Sequence, residues 1–310
     1  SYYSIASLNF SRDTNNKDAK KEKDYYDSID PEMRECFDSF EKAIHRSRFK
    51  EEISKKWGGK FLEDINISLK TFDPSIKDML KEETNLCNDY TKLTAGAKIQ
   101  FKGKEYNLSG LGPFHSHKDR DIRKQSYEAR FNWFSENSQE LDETYDKLVK
   151  LRHKMAVSLG YNDFTELGYL RMNRSDYGPV EVANFRKQIV DHVVPIVNEL
   201  QLKKKEILGL DHLYFYDGIN FIEGDPRPKG TPEELIQAAQ EMYHELSDET
   251  GKFFDIMVNE ELMDLVNREG KAPGGFCTSF PKYNRPYIFS NFNGTDHDIT
   301  VLTHEAGHAF

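Results

Sequence analysis

The chain has 310 residues, which is enough to bury a sizeable core and to form two domains. Charged residues make up 31% and aromatic residues 13%, a balance typical of globular proteins that excludes a largely disordered or membrane-embedded chain. The net charge of −10 argues against nucleic acid as a partner, because a phosphate-binding surface needs concentrated positive charge.

The cysteines and the apolar runs bear on the compartment. Cys36, Cys87 and Cys277 lie far apart and are odd in number, so the sequence predicts neither a disulfide framework nor a C-x-x-C metal site. This usage favours a reducing, cytoplasmic location. No apolar run reaches transmembrane length, so we expect no membrane partner. The oligomeric state stays open.

Helical periodicity predicts that most of the chain is α-helical. Residues 1–28 are polar with scattered aromatic residues, and a helix is predicted to begin with Asp30 as its cap and Pro31 in its first turn. Its stripe of Met33, Phe37, Phe40 and Ile44 is interpreted as core, and Gly58 ends the pattern. Further helices are predicted over 60–71, from 74 to about 93, over 118–135 and 138–160, from 179 with a kink at Pro195, and from 231.

Two stretches alternate as β-strands instead. Residues 99–108 read as a short β-hairpin that turns at Gly103. Residues 276–280 and 286–292 read as two strands separated by a polar turn of five residues. One interpretation is a covering hairpin, and the functional hypothesis is an unpaired edge that binds an extended peptide through its main chain. The residues assigned to substrate binding on this hypothesis are Gly274, Gly275, Tyr287, Ile288 and Phe289.

The last nine residues, LTHEAGHAF, contain the pattern H-E-x-x-H. On a helix, His304 and His308 lie on one face at a separation that lets both bind one Zn²⁺. Glu305 then lies beside the metal, where its carboxylate can act as a general base. A helix that carries two histidines by chance is the alternative, and composition gives only about 0.03 such matches in a chain of this kind. The chain ends two residues after His308, so no third ligand follows within this run.

The segments KAPGGFCT (271–278), IFSNFNGT (288–295) and LTHEAGHAF (302–310) closely resemble the M3 family of zinc oligopeptidases, in its oligoendopeptidase F-like branch. Residues 91–93, 103–108, 118–123 and 230–234 are similar to the same family. The resemblance implies a mainly α, two-lobed, zincin-like metallopeptidase with a deep channel and a small β-hairpin or sheet beside the active-site helix. It also implies an N-terminal helical region over residues 1–113 with a short hairpin. Residues 114–310 would form the N-terminal part of the catalytic domain, within a longer protein.

The same resemblance implies an endopeptidase that hydrolyses oligopeptides with one Zn²⁺. His304 and His308 would be the ligands and Glu305 the general base, with a third ligand, a Glu, on a helix C-terminal to the motif. Because that ligand is absent from these 310 residues, this chain alone is expected to bind zinc poorly and to be inactive.

The residues leave three alternatives open. The chain could belong to another zincin class, or it could be a helical peptide-binding fragment without catalysis. His115 and His117, with Asp119, could form a second metal cluster, although their place before a helix favours a capping role. His297 and Asp298, just before the motif, are interpreted as capping and support.

Overall fold

The computed structural model describes residues 1–218 and 224–310. These residues group into two compact units, each assembled from separate stretches of the chain. The first unit comprises Ser1–Asp24, Asp89–Ser138 and Lys205–Phe310, and the second comprises Tyr25–Asn88 and Gln139–Lys204. The division predicted from the sequence at residues 113 and 114 falls inside the first unit and stays a prediction.

The fold is mainly helical, as predicted. The helices are α1 (Tyr2–Arg12), α2 (Lys17–His45), α3 (Lys50–Trp57), α4 (Gly59–Thr71), α5 (Lys77–Ala95), α6 (Gly112–His115), α7 (Arg120–Glu136), α8 (Ser138–Ser158), α9 (Phe164–Arg171), α10 (Pro179–Gln188), α11 (Val194–Ile207), α12 (Pro232–Leu246), α13 (Asp248–Asn259) and α14 (Asp296–Ala309). Within the described ranges, no helix is long and apolar enough to cross a membrane.

The predicted start of α2 at Asp30 was wrong. The helix begins at Lys17, where the Asn16 side chain accepts hydrogen bonds from the N–H groups of Asp18 and Ala19, both at 3.0 Å. The run of Lys, Ala and Glu that follows favours helix strongly enough for α2 to continue through Pro31. The interpretation of its apolar stripe as core was also wrong, since Met33, Phe37 and Phe40 are 49%, 60% and 61% exposed.

The α-helical hydrogen-bond pattern is interrupted next to Pro195, where the sequence predicts a kink. A π-helical turn over Ile189–Val193 separates α10 from α11. Pro195 has no N–H to donate to the carbonyl of Asp191, four residues earlier, and a widened turn accommodates that loss. No residue of α10, of the π-turn or of α11 is buried.

Two small sheets interrupt the helices. β1 (Ile99–Phe101) and β2 (Lys104–Tyr106) form the predicted hairpin, with Lys102 and Gly103 both at positive φ in its turn. The second sheet has the order β3-β5-β4, with β3 over Met263–Val266, β4 over Phe276–Phe280 and β5 over Arg285–Phe292. β4 and β5 are the two predicted strands, and β3, which was not predicted, pairs parallel to β5.

Both faces of β5 are buried, and α14 packs against one of them. Ile288 and Phe292 pack against Leu302 and Ala306 of α14, in a core that α12 and α13 complete. Tyr287 and Phe289 face the opposite cluster, which contains Leu8 of α1. The helix that carries H-E-x-x-H is therefore attached to the sheet by one apolar face.

The second unit has a separate core, whose buried members are Ile76, Leu151, Met155, Ala156 and Leu167.

Candidate active site

The side chains of α14 divide between a buried face and an exposed face. Leu302 and Ala306 point into the core, whereas His304 and His308 are exposed. Glu305 is only 8% exposed and lies at the border between the two faces. This division follows from helical periodicity, because 302 and 306 share one stripe and 304 and 308 share another. The sequence therefore predicts the orientation of the motif once the core face is known.

The two imidazoles meet edge to face on the exposed side of α14. Their Nε2 atoms are 3.1 Å apart, and the ring centroids are 4.6 Å apart. Two nitrogens at about 2.0–2.1 Å from a tetrahedral Zn²⁺ lie about 3.3 Å from each other, so this pair fits two ligand positions with little adjustment. In the part of the chain that the structure describes, no group of three or more His, Cys, Asp or Glu side chains could hold a metal ion.

Glu305 faces the sheet rather than open solvent. α14 lies against β4, and the Glu305 carboxylate is close enough to Cys277 of that strand to act on it electrostatically. Burial, reinforced by the nearby Glu305 charge, raises the pKa of the Cys277 thiol. A carboxylate in this position is flanked by two histidines on one side and by a strand on the other.

The turn that leads from β5 into α14 is organised by Asp298. Its carboxylate accepts hydrogen bonds from the N–H of Asn293 at 3.0 and 3.1 Å and from the N–H of Gly294 at 2.8 Å. Burial nevertheless raises the pKa of Asp298, because the backbone donors offset only part of the cost of desolvation. The supporting role predicted for this position belongs to Asp298, while His297 is exposed on the first turn.

The residues assigned to substrate binding lie in two different environments. Tyr287, Ile288 and Phe289 are in the central strand β5, with side chains no more than 9% exposed. Ile288 and Phe289 have partners in both β3 and β4, so their main chains are not available to a peptide. Within the described residues, β4 has β5 as its only partner strand. This placement moves the proposed substrate edge from β5 to β4.

Gly274 and Gly275 precede β4, and each needs to be glycine for a different reason. Gly274 has a φ of +95°, which other residues rarely adopt. A Cβ on Gly275 would lie 2.8 Å from Cγ1 of Val301, so the absence of a side chain allows this loop to approach α14. Asn291 holds the same loop by donating to the carbonyls of Ala272 and Gly274, both at 2.8 Å.

A buried charge cluster behind this loop was not anticipated from the sequence. The ammonium of Lys271, whose side chain is fully buried, donates to the Asp264 carboxylate at 2.8 Å and to the carbonyls of Asp264 and Val266. Arg12 and Arg268 donate to the same carboxylate. Burial alone would raise the pKa of Asp264, but hydrogen bonds from Arg268, Lys271 and Arg12 outweigh it and hold that pKa well below its usual range. Burial lowers the pKa of Lys271 to about 8.

The His115–His117 segment has a local structural role. His117 Nδ1 accepts from the N–H of Asp119, and Asp119 caps α7. His115 stacks on Tyr127 with ring centroids 4.1 Å apart, and burial, with a smaller effect from Arg130, lowers its pKa to about 4. These contacts support the capping interpretation over a second metal cluster.

Comparison with known proteins gives matches to one peptidase family. The sequence profile of peptidase family M3 matches residues 114–310, and the profile of the peptidase M3 N-terminal domain matches residues 1–72. The chromosomal oligoendopeptidase F of Lactococcus lactis subsp. cremoris is 22% identical over 231 residues, which cover 71% of this chain and 35% of that protein.

Solved structures match over almost the whole chain. A PZ peptidase A with a bound inhibitor superposes with a TM-score of 0.97 at 44% identity and covers 99% of this chain and 55% of its own. A Bacillus anthracis protein described as an oligoendopeptidase F gives a TM-score of 0.96 at 42% identity, with 99% and 56% covered. The chain thus spans about half the length of these solved relatives. With profiles matching over most of its residues and a shared fold, the chain belongs to peptidase family M3.

Proposed function

We propose that this chain carries the H-E-x-x-H helix of a zinc-dependent endopeptidase that hydrolyses oligopeptides. The observation that supports the proposal most directly is the pairing of His304 and His308 at 3.1 Å on the exposed face of α14, with Glu305 beside them. The family and the peptidase names of its solved and curated relatives point to the same activity.

In this proposal His304 and His308 supply two of the three protein ligands that a catalytic zinc site uses. A bound zinc ion would supply Lewis-acid polarisation of the scissile carbonyl and of the attacking water. Among the described residues, no third ligand lies within reach of His304 and His308. We infer that a residue outside the described ones is the third zinc ligand.

Glu305 is the proposed catalytic base. Its carboxylate accepts a proton from the attacking water, whose oxygen adds to the carbonyl carbon of the substrate. The same carboxyl group then donates that proton to the amide nitrogen as the C–N bond breaks, giving a free amine and a carboxylic acid. The exposed face that carries His304 and His308 leaves room for a substrate. The Glu305 side chain is almost completely buried, which restricts the rotation of its carboxylate.

The edge of β4 is the proposed site for the substrate main chain. The strand lies beside Glu305 and forms one end of the sheet order, so its outer N–H and C=O groups can pair with an extended peptide. Binding of this kind is largely independent of substrate sequence, as an enzyme that acts on oligopeptides requires. Gly274 and Gly275 determine where this edge begins.

The substitution Glu305→Gln tests the proposal in the full-length protein. It retains the shape of the side chain and removes the base, so we expect kcat to fall by about 10²–10⁴-fold while zinc and peptide still bind. Glu269→Gln, an exposed Glu on the first unit, is the matched control and should leave kcat unchanged.

The outcome also separates the alternatives. A helical peptide-binding protein without catalysis would bind peptide and show no hydrolysis before the substitution. Membership of peptidase family M3 removes the alternative of another zincin class, and crystallography of the zinc-loaded full-length protein should identify the third ligand as a Glu. Unchanged hydrolysis by the Gln variant would contradict the role given to Glu305.

A further inference from the structure

Gly112, the first residue of α6, is a glycine that its own backbone does not require. Its φ of −47° and ψ of −50° are ordinary helical values, which any residue adopts. A Cβ at this position, however, would lie 2.4 Å from Nδ2 of Asn293, closer than any non-bonded contact allows. Gly112 therefore leaves room for one side chain, and that side chain belongs to the turn before α14.

The side chain of Asn293 uses both ends of its amide. Its Nδ2 donates to the carbonyl of Ser109 at 2.8 Å, and its Oδ1 accepts from the hydroxyl of Thr295 at 2.8 Å. Its backbone N–H donates to Asp298. One residue thus connects the 109–112 segment to both the N-cap and the first turn of α14.

The segment that receives Asn293 is itself fixed to the sheet. Asn107 and Asn267 exchange two amide hydrogen bonds of 2.8 and 3.0 Å, and Oδ1 of Asn107 also accepts from the N–H of Gly110. The N–H of Asn267 donates to the carbonyl of Phe292, the last residue of β5. The start of α14 is therefore attached to β5 twice, once through the chain and once through these amides.

This double attachment limits rotation of α14 about its axis. The apolar contacts of Leu302 and Ala306 are non-directional and tolerate small rotations, whereas hydrogen bonds at the helix start do not. A rotation of about 20° would displace side-chain atoms at a radius of about 5–6 Å by about 2 Å. Such a displacement is large compared with the tolerance of a metal site or of a catalytic base.

We propose that Asn293, accommodated by Gly112, is a positioning residue that fixes the rotation of α14 and thereby the placement of His304, Glu305 and His308. The inference rests on the proposed function, because it assigns Asn293 and Gly112 an effect on zinc affinity and on kcat. In this proposal Asn293 acts through the helix that it anchors, eleven positions before His304, by its hydrogen bonds to Ser109, Thr295 and Asp298.

The test measures zinc affinity by chelator competition, together with kcat and KM, at a temperature well below the melting midpoint of every variant. In the full-length protein, Gly112→Ala displaces the Asn293 amide and should weaken zinc binding by about 10–100-fold. It should lower kcat while KM changes little, since the β4 edge is untouched. Asn293→Ala should give a similar loss, and the double variant should be no worse than Asn293→Ala alone, because the clash no longer exists.

Two controls separate positioning from a general loss of stability. Gly59→Ala adds a Cβ at a glycine of negative φ with open space around it, so zinc affinity should stay within two-fold of the original. Met155→Ala destabilises the separate core of the second unit and should lower Tm without weakening zinc binding. Equal zinc affinity in Gly112→Ala and the original protein would overturn the inference. Absence of zinc binding in the original protein would instead overturn the proposed function, and this inference with it.

Discussion

The two sides of the candidate site are built in different ways. The order of side chains on the histidine face of α14 is determined by spacing within five residues, while the rotation of that face depends on the core around Leu302 and Ala306 and, in our proposal, on Asn293. The loop that leads to β4 depends on contacts with residues of other elements: Lys271 with Asp264 of β3, Ala272 with Ser11 of α1, and Gly274 with Asn291 of β5. The first side is readable from sequence, and the second is visible only in the folded molecule.

Removing the buried ammonium of Lys271 should have the largest effect on stability. It should destabilise the loop before β4 rather than α14. Lys271→Ala removes three hydrogen bonds. The Asp264 side chain, which is 9% exposed, then keeps only Arg12 and Arg268 as charged partners. We expect a loss of about 3 kcal/mol of unfolding free energy, measured by denaturant titration. Lys98→Ala, which breaks only exposed ion pairs, should cost less than about 1 kcal/mol. Similar losses in the two variants would show that the Lys271 cluster does not stabilise the loop.

Gly275→Ala should reveal how closely the two sides are packed. The new Cβ would lie 2.8 Å from Cγ1 of Val301, and we expect a loss of about 1–3 kcal/mol from overpacking. Combining it with Val301→Ala should recover most of that loss. Gly274→Ala is the matched control. It should cost about 1 kcal/mol because the backbone at this position has a φ of +95°, which alanine rarely adopts. The added Cβ would have no neighbour within 4 Å, so Val301→Ala should not recover this loss. Equal rescue of both glycine variants would contradict the proposed contact.

Gly307→Ala should have the smallest effect, and stability and activity should change in opposite directions. Gly307 lies on the exposed face of α14, a methyl group added there would have no neighbour within 4 Å, and its φ is not positive. A helix-interior glycine costs about 0.5–1 kcal/mol relative to alanine, so thermal melting should show a higher Tm. If substrate contacts the helix beside Gly307, KM should rise. An unchanged KM would exclude close approach of the substrate at this position.

The features that could be predicted from the sequence are those determined by neighbouring residues, and those that were missed depend on contacts between separate elements. Helical periodicity, capping residues and H-E-x-x-H are local signals, and they predicted α4, α5, α7, α12 and the placement of His304 and His308 on one face of a helix. β3 was missed because its four residues form a strand only through β5, more than twenty positions later. The early start of α2 was missed because Asp30 and Pro31 imitate a helix start, although Asn16 provides the actual cap. Neither Asn293 nor Gly112 has a sequence pattern that indicates their contact.

The contacts of α1 and of Thr14, which follows it, have a consequence for the order in which the molecule can fold. Thr14 donates to the carbonyl of Gly270, a partner 256 positions later, and Arg12 donates to Asp264, 252 positions later. During synthesis at about 5–20 residues per second, α1 would wait roughly ten to fifty seconds for these partners. The first unit therefore closes late, because these partners are synthesised long after the N-terminal helix, and contacts of such high sequence separation are expected to make its folding slow.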